Sequence, residues 1–223
     1  MKIFTIPDLH GKTFWMEKDL SSYDKVIFLG DYVDSFDHSN IEILHCLNSV
    51  LNYKRDNPDK AELLWGNHDM GYIGNHTKCS GYRYIMAPDL YRIFKENEKF
   101  FNVAYQYKNT IWSHAGICKS WYNTLKQYNK ELTDENLVEY INQLYYTHDS
   151  WLLEMVGHSR GGGEMPGILW ADKQDLIHKP ISGFDQVVGH SKVKDVREYN
   201  INGNKIVFTD CLDEVENYYI FED

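Results

Sequence analysis

Three short apolar runs, each breaking off into acid, imidazole or amide side chains, limit what this chain can fold into more than any other feature. Residues 2–7 run into Asp8-Leu9-His10-Gly11, Lys25-Val26-Ile27-Phe28-Leu29 into Gly30-Asp31-Tyr32-Val33-Asp34, and Ala61-Glu62-Leu63-Leu64-Trp65 into Gly66-Asn67-His68-Asp69. The runs have the length and the β-branched and aromatic content of buried strands, and Gly30 lets the chain turn sharply where the second one stops. Ile41, Leu44, Leu47, Val50 and Leu51 recur at helical spacing, which predicts a helix over 41–54 that Asn57-Pro58 ends; residues 13–20 are predicted to form another. Strand, turn and helix in succession imply a largely parallel sheet. Ligands of such sheets bind beyond the carboxyl ends of the strands, so the three polar clusters converge on one edge.

Taken singly, each cluster has a plain reading. An acidic turn after a strand is usually a solvated loop, Asp8 beside His10 reads as a capping aspartate and a surface histidine, and Asn67-His68 as a turn. Three in a row favour chemistry. Asp8 and His10, two apart in an extended segment, share one face and can close on one ion. Carboxylate, imidazole and amide oxygen together suit divalent cations of octahedral preference. His38, His45, His76, His148, His158 and His178 lie outside these clusters and are assigned ordinary surface or core roles.

Composition closes off other classes. With 223 residues, 43% hydrophobic, the chain can bury one substantial core, and no repeat or linker divides it. Acidic residues outnumber Lys plus Arg by 33 to 23, so general attachment to nucleic-acid phosphates or anionic membranes is not expected. Cys46, Cys79, Cys118 and Cys211 form no Cys-x-x-Cys pair and read as free thiols. No signal-peptide pattern or membrane-length apolar stretch occurs, and the expectation is a soluble cytoplasmic protein in a reducing environment.

Further along stand Thr110-Ile111-Trp112-Ser113-His114-Ala115-Gly116, Ile168-Leu169-Trp170-Ala171-Asp172, Gln186-Val187-Val188-Gly189-His190-Ser191 and Phe208-Thr209-Asp210. In order from Asp8 to Asp210 the set resembles the calcineurin-like metallophosphoesterases, in particular the Ser/Thr phosphoprotein phosphatase branch with the bacteriophage lambda phosphatase and the symmetrical diadenosine tetraphosphate hydrolases. The resemblance implies a single α/β domain, a mixed two-sheet β-sandwich flanked by helices, with His190 and Asp210 reaching the site from the second sheet. It implies two divalent metal ions, manganese by preference, with iron, zinc or magnesium as alternatives. Asp8, His10 and Asp31 would hold one, and Asp31, Asn67, His114 and His190 the other. His68 would be the general acid, oriented by Asp34, or else a structural neighbour of the metals; Asp210 is a weaker candidate for the surroundings of the site. The implied reaction is in-line attack on a phosphomonoester by a metal-bridging hydroxide. A nucleotide or dinucleoside polyphosphate substrate is the first alternative, which a pocket of Tyr82, Tyr84 or Tyr91 would favour, and a non-catalytic metal-binding interaction module the second.

The departures bear on the substrate. Ser35-Phe36 stands where the branch has arginine and glycine, Asp69 replaces a glutamate with no arginine close behind, and Pro7 replaces a glycine. Arg160 and Arg83 are candidate replacements as phosphate ligands, the alternative for each being a solvated loop arginine. Residues 77–99 and 119–167 read as specificity inserts. Within the second, Leu137, Ile141, Leu144, Tyr145, His148, Leu152 and Met155 predict a helix over 133–156 with Thr133 as N-cap, either walling the site or completing the core. Residues 101–114 read as a hairpin, Asn202-Gly203 predicts another between 196–201 and 205–208, and 215–221 alternates toward a last strand.

Overall fold

The computed structural model describes residues 1–74, 77–163 and 165–223. His76, assigned an ordinary role above, and Glu164, within the 119–167 segment, lie outside the described residues. The chain runs β1 (Lys2–Ile6), β2 (Lys25–Phe28), α1 (Asn40–Asp56), β3 (Ala61–Leu64), α2 (Asn67–Met70), α3 (Ala87–Asn97), β4 (Phe101–Asn102), β5 (Ala104–Tyr107), β6 (Thr110–Ser113), α4 (Lys119–Tyr128), α5 (Leu137–Leu144), α6 (Lys173–His178), β7 (Asp185–Val188), β8 (Arg197–Ile201), β9 (Asn204–Phe208) and β10 (Tyr219–Glu222), with short 3-10 turns between.

Two five-stranded sheets result, ordered β10-β1-β2-β3-β4 and β5-β6-β7-β9-β8. Strands β1 to β4 are parallel and only β10 opposes them; in the second sheet β6, β7 and β9 are parallel, with β5 and β8 antiparallel at the edges. This is the mixed two-sheet α/β architecture expected. Strand periodicity sorts the side chains: Ile3, Ile27 and Leu64 of one sheet meet Trp112, Val187 and Val207 of the other. Their neighbours Phe4, Val26, Phe28 and Leu63 turn outward, into one cluster with Ile43, Cys46, Leu47, Val50 and Leu51 of α1. Trp112 Nε1 donates to Thr5 Oγ1 at 3.0 Å across the sheets. Cutting any of these fully buried aliphatic side chains to alanine costs about 2–5 kcal/mol.

Helix α1 opens on a reciprocal cap in which Glu42 N–H donates to Ser39 Oγ and Ser39 N–H to Glu42 Oε2. Elsewhere the elements depart from expectation. Residues 13–20 hold a single 3-10 turn, Phe14–Glu17, in which only Trp15 is buried. The helix expected over 133–156 stops after Leu144 and resumes as a 3-10 turn, Ser150–Glu154. Thr147 interrupts it: its hydroxyl donates to Leu144 O at 2.9 Å and accepts Asp149 N–H at 3.2 Å, competing locally with the helical backbone. Asn136, not Thr133, is the residue at the helix start. Helix α5 lies on β5, with Asn142 Oδ1 accepting the N–H groups of Val103 and Ala104, so it completes the core. The last strand begins only at Tyr219, because Glu214 and Val215 N–H still close a turn on Cys211 O. Among the described residues no helix is long and apolar enough to cross a membrane.

The four cysteines are free, three of them buried. Burial favours the neutral thiol, pushing Cys46 up to about 12 and Cys211 up to about 11. Native protein at pH 8 is therefore expected to react with a thiol reagent far more slowly than denatured protein, in which all four react; rapid native labelling of Cys46, mapped by mass spectrometry, would contradict its packing. Because the folded-state thiol is the weaker acid, this part of the stability is complete below the unfolded value and fades as pH rises toward 12.

Candidate metal centre

Parallel register brings the ends of β1, β2 and β3 level, and the turns that follow are held in unusual backbone. His10, Asp31, Asp34 and His190 all adopt left-handed φ, at 46°, 52°, 59° and 61°. Such conformations are uncommon outside glycine, cost about 1–3 kcal/mol, and gather at functional sites. Two glycines make room for carboxylates. A Cβ on Gly66 would lie 2.1 Å from Asp31 Oδ1, and one on Gly189 2.0 Å from Asp8 Oδ2. Asp31 Oδ1 accepts His68 N–H at 2.9 Å, and both oxygens of Asp8 take His190 N–H, at 2.9 and 3.1 Å. Asp69 clamps the turns together, accepting the N–H groups of Asp31, Tyr32 and Gly66 at 2.8, 3.0 and 3.0 Å.

The imidazoles are aimed by their second nitrogens. His114 Nδ1 donates to Leu29 O at 2.9 Å, which leaves Nε2 a lone pair; yet Nε2 stands 2.7 Å from Asn67 Oδ1 and 3.4 Å from Asp31 Oδ2, both acceptors. Asn67 is oriented by its own amide N–H, donated to Cys79 Sγ at 3.1 Å. His10 Nδ1 lies 2.9 and 2.7 Å from Val33 O and Asp34 O, turning Nε2 toward Asp31 Oδ2 at 3.6 Å. His190 Nδ1 sits 3.0 Å from Asn67 Oδ1, and among the described residues its buried Nε2 has no hydrogen-bond partner. Lone pairs facing lone pairs at this range repel unless a cation lies between them, and the donor set of imidazole, carboxylate and amide oxygen fits a divalent ion. Two groups of donor atoms, His10-Asp31-His68 and Asp31-His114-His190, each lie within 4.8 Å of one another and share Asp31.

Electrostatics separate the groups. Burial pushes Asp8 well above the ordinary carboxylate range, helped by Asp210 and Asp31, and lifts Asp210 to about 7 beside Asp213 and Asp31. Burial works on Asp31 too, but the imidazoles of His114, His68, His10 and His190 hold it below its usual value. Burial lowers His10, His114 and His190, favouring the neutral form that ligates. For His68 the same desolvation is outweighed by Asp31 and Asp34, and its pKa is raised. Its Nδ1 lies 3.0 Å from Asp34 Oδ2.

A cavity of about 490 Å³ opens over this cluster, with Asp8, His10, Asp31, Asn67, His68, His190, Asp210 and Arg160 in its walls and His114 fully buried behind. Arg160 Nε pairs with Asp172 Oδ2 at 2.9 Å, which sets the guanidinium at the rim. The structure does not bring Arg83 there. Its guanidinium donates to Asn40 Oδ1, Ser35 O and His38 O and fastens the loop after Asp34, so the expectation of a phosphate ligand at Arg83 gives way to a tether.

Three supporting residues were not singled out in the sequence. Asp69 was noted only as a departure; its place three residues after Gly66 is a helix-start spacing that would have found the clamp. Tyr72, in the turn that follows α2, donates its hydroxyl to Asp34 Oδ1. Nothing in the sequence ties Cys79 to Asn67.

Residues 1–208 match the sequence model described as calcineurin-like phosphoesterase. No curated protein matches the chain. Among solved structures, a cold-active protein-tyrosine phosphatase of the psychrophile Shewanella sp. superposes with a TM-score of 0.63 at 18% identity, covering 100% of this chain and 75% of that one. A protein serine/threonine phosphatase from Saccharomyces cerevisiae gives 0.55 at 16% identity over 93% of this chain and 66% of its own. At these identities the likeness is one of fold.

Proposed function

The chain belongs to the calcineurin-like phosphoesterase family and is a metal-dependent phosphoesterase, and from that premise we propose that it hydrolyses phosphomonoesters with two divalent cations and no covalent intermediate. The observation that carries the reading is that two groups of donor atoms share Asp31, with His68 in the cavity wall beside them and bonded to the buried Asp34. Asp8, His10 and Asp31 would hold one cation, and Asp31, Asn67, His114 and His190 the other. When bound, the ions supply Lewis acidity to the phosphate and acidify the attacking water. Manganese is the first choice; iron, zinc and magnesium accept the same donors.

The remaining steps fall to the protein. Arg160 faces the cavity and would grip a non-bridging phosphate oxygen. His68, turned by Asp34 so that Nε2 faces the cavity, would give its proton to the departing oxygen. Asp210 stays in the wall as a neighbour of Lys192 and Asp8. One observation favours the nucleotide alternative: Tyr82 and Tyr84 meet edge to face at 4.9 Å with Lys78 Nζ over both rings, an aromatic surface near Asp34 on which a base could stack. The free thiols support a reducing compartment, and we place the enzyme in the cytoplasm.

The test is turnover by manganese-reconstituted protein on an aryl phosphomonoester, an aryl phosphodiester, a phosphoserine peptide and diadenosine tetraphosphate. Monoester hydrolysis is expected to lead. Preference for the diester or the dinucleotide would replace the substrate reading, and no turnover with both cations bound would favour a metal-binding interaction module.

Tyr72→Phe removes the hydroxyl that fixes Asp34 while leaving the ring to stack on Tyr82 at 4.4 Å. Such supporting groups contribute about 10- to 100-fold. Turnover of an alkyl phosphate is expected to fall by about tenfold at unchanged metal content, with a smaller loss on an aryl phosphate. An equal loss on both would mean that Tyr72 supports the fold and not the proton donor.

A further inference from the structure

After His190 the chain leaves the metal centre through a loop that runs to β8, and this loop carries charge against the grain of the molecule. A cavity of about 500 Å³ on it is lined by Lys173, Lys192, Lys194 and Arg197, with Glu198 the one carboxylate in its wall among the described residues, in a chain of net charge −10. Lys192 pairs with Asp213 at 2.6 Å; among the described residues Lys173, Lys194 and Arg197 make no ion pair. Lys173 is held in place from two sides. Its backbone N–H donates to Ser191 Oγ at 2.9 Å, and its ammonium lies over the rings of Tyr199 and Phe208 at 5.0 and 5.8 Å. Lys192 lines this groove and also the cavity of the metal centre, so the two are neighbours on either side of its side chain.

Lys173, Lys194 and Arg197, which have no salt bridge among the described residues, repel one another, and an anion set among them relieves that repulsion. We propose that the groove is a second anion subsite of the active site, taking a phosphate or carboxylate group that the substrate carries beyond its scissile phosphate. The proposal rests on the phosphoesterase reading above. Adjacency across Lys192 makes a part of the substrate the occupant, and the net charge of −10 argues against a nucleic-acid strand. Substrates with one anionic group would leave the groove unused.

The double variant Lys194→Ala/Arg197→Ala alters two exposed residues that take no part in the metal centre. Calorimetric titration of the metal-loaded protein at low salt uses inorganic phosphate as the single-anion probe, tripolyphosphate as the phosphate source and a phosphoserine peptide flanked by aspartates as the carboxylate source. Wild type is expected to bind one or both of the extended anions more tightly than inorganic phosphate. The variant should lose about tenfold on whichever it is, with phosphate affinity and aryl-phosphate kcat unchanged, and the difference should vanish in 1 M salt, where the screening length falls to about 3 Å. Loss on tripolyphosphate alone identifies a phosphate occupant, and loss on the peptide alone a carboxylate. Equal affinities in wild type and variant for both extended anions would overturn the subsite. Absence of turnover with the binding loss intact would instead remove the phosphoesterase reading and leave the groove standing.

Discussion

Asp31→Asn is expected to lower turnover on an aryl phosphate by about 10³-fold or more and to weaken both cation positions together. The argument begins with the backbone, at φ 52° for Asp31, where asparagine is one of the few residues tolerated. An asparagine oxygen can still accept His68 N–H, so the turn should survive and melting should shift by no more than a few degrees. What disappears is the charge on Oδ2, the atom 3.6 Å from His10 Nε2 and 3.4 Å from His114 Nε2. Since both donor groups use this carboxylate, metal content measured on the purified variant should fall for two ions and not one. A variant that keeps one ion at full occupancy would show that Asp31 does not bridge.

His68→Ala separates two roles that geometry alone leaves side by side. His68 belongs to a donor group with His10 and Asp31, and it also faces Asp34. If it is the proton donor, metal content is unchanged, hydrolysis of an alkyl phosphate falls by about 10²- to 10⁴-fold, and hydrolysis of p-nitrophenyl phosphate, whose leaving group needs little protonation, falls far less. Asp34→Asn should reproduce the pattern more weakly, because the imidazole remains but loses its orienting charge. Loss of a cation in His68→Ala, with both substrates slowed alike, would make the residue a ligand.

Much of this architecture could be read from the chain because strands and their ends leave local marks. Alternation along Val26, Ile27, Phe28 and Leu29 assigns each residue to a layer, and the glycine that follows announces the turn. The candidate site was legible for the same reason: its side chains sit within a short turn of such ends, from His114 directly after β6 to Asp34 in the turn after β2. What stayed hidden depends on partners distant in sequence. Asp69 meets Asp31 and Tyr32 across 38 and 37 positions, and Arg83 meets Ser35 across 48. No spacing rule could show that Arg83 would spend its donors on backbone carbonyls. The helix over 133–156 failed for a different reason, since its apolar period continues through 145–149 while Thr147 closes the backbone on itself.

The metal centre belongs to neither sheet alone. Asp8 follows β1 and takes the N–H of His190, which follows β7; His114 follows β6 and donates to Leu29, beyond β2. It is a seam, and a cation bound there would weld the layers that Ile27 and Trp112 hold by packing. Thermodynamic linkage then runs both ways. At a free metal concentration a hundredfold above Kd, binding adds about 2.7 kcal/mol to the stability of the whole domain. Conversely, a slip between the sheets far from the cavity will be felt as weaker metal binding, so metal affinity becomes a gauge of how well the two layers are registered.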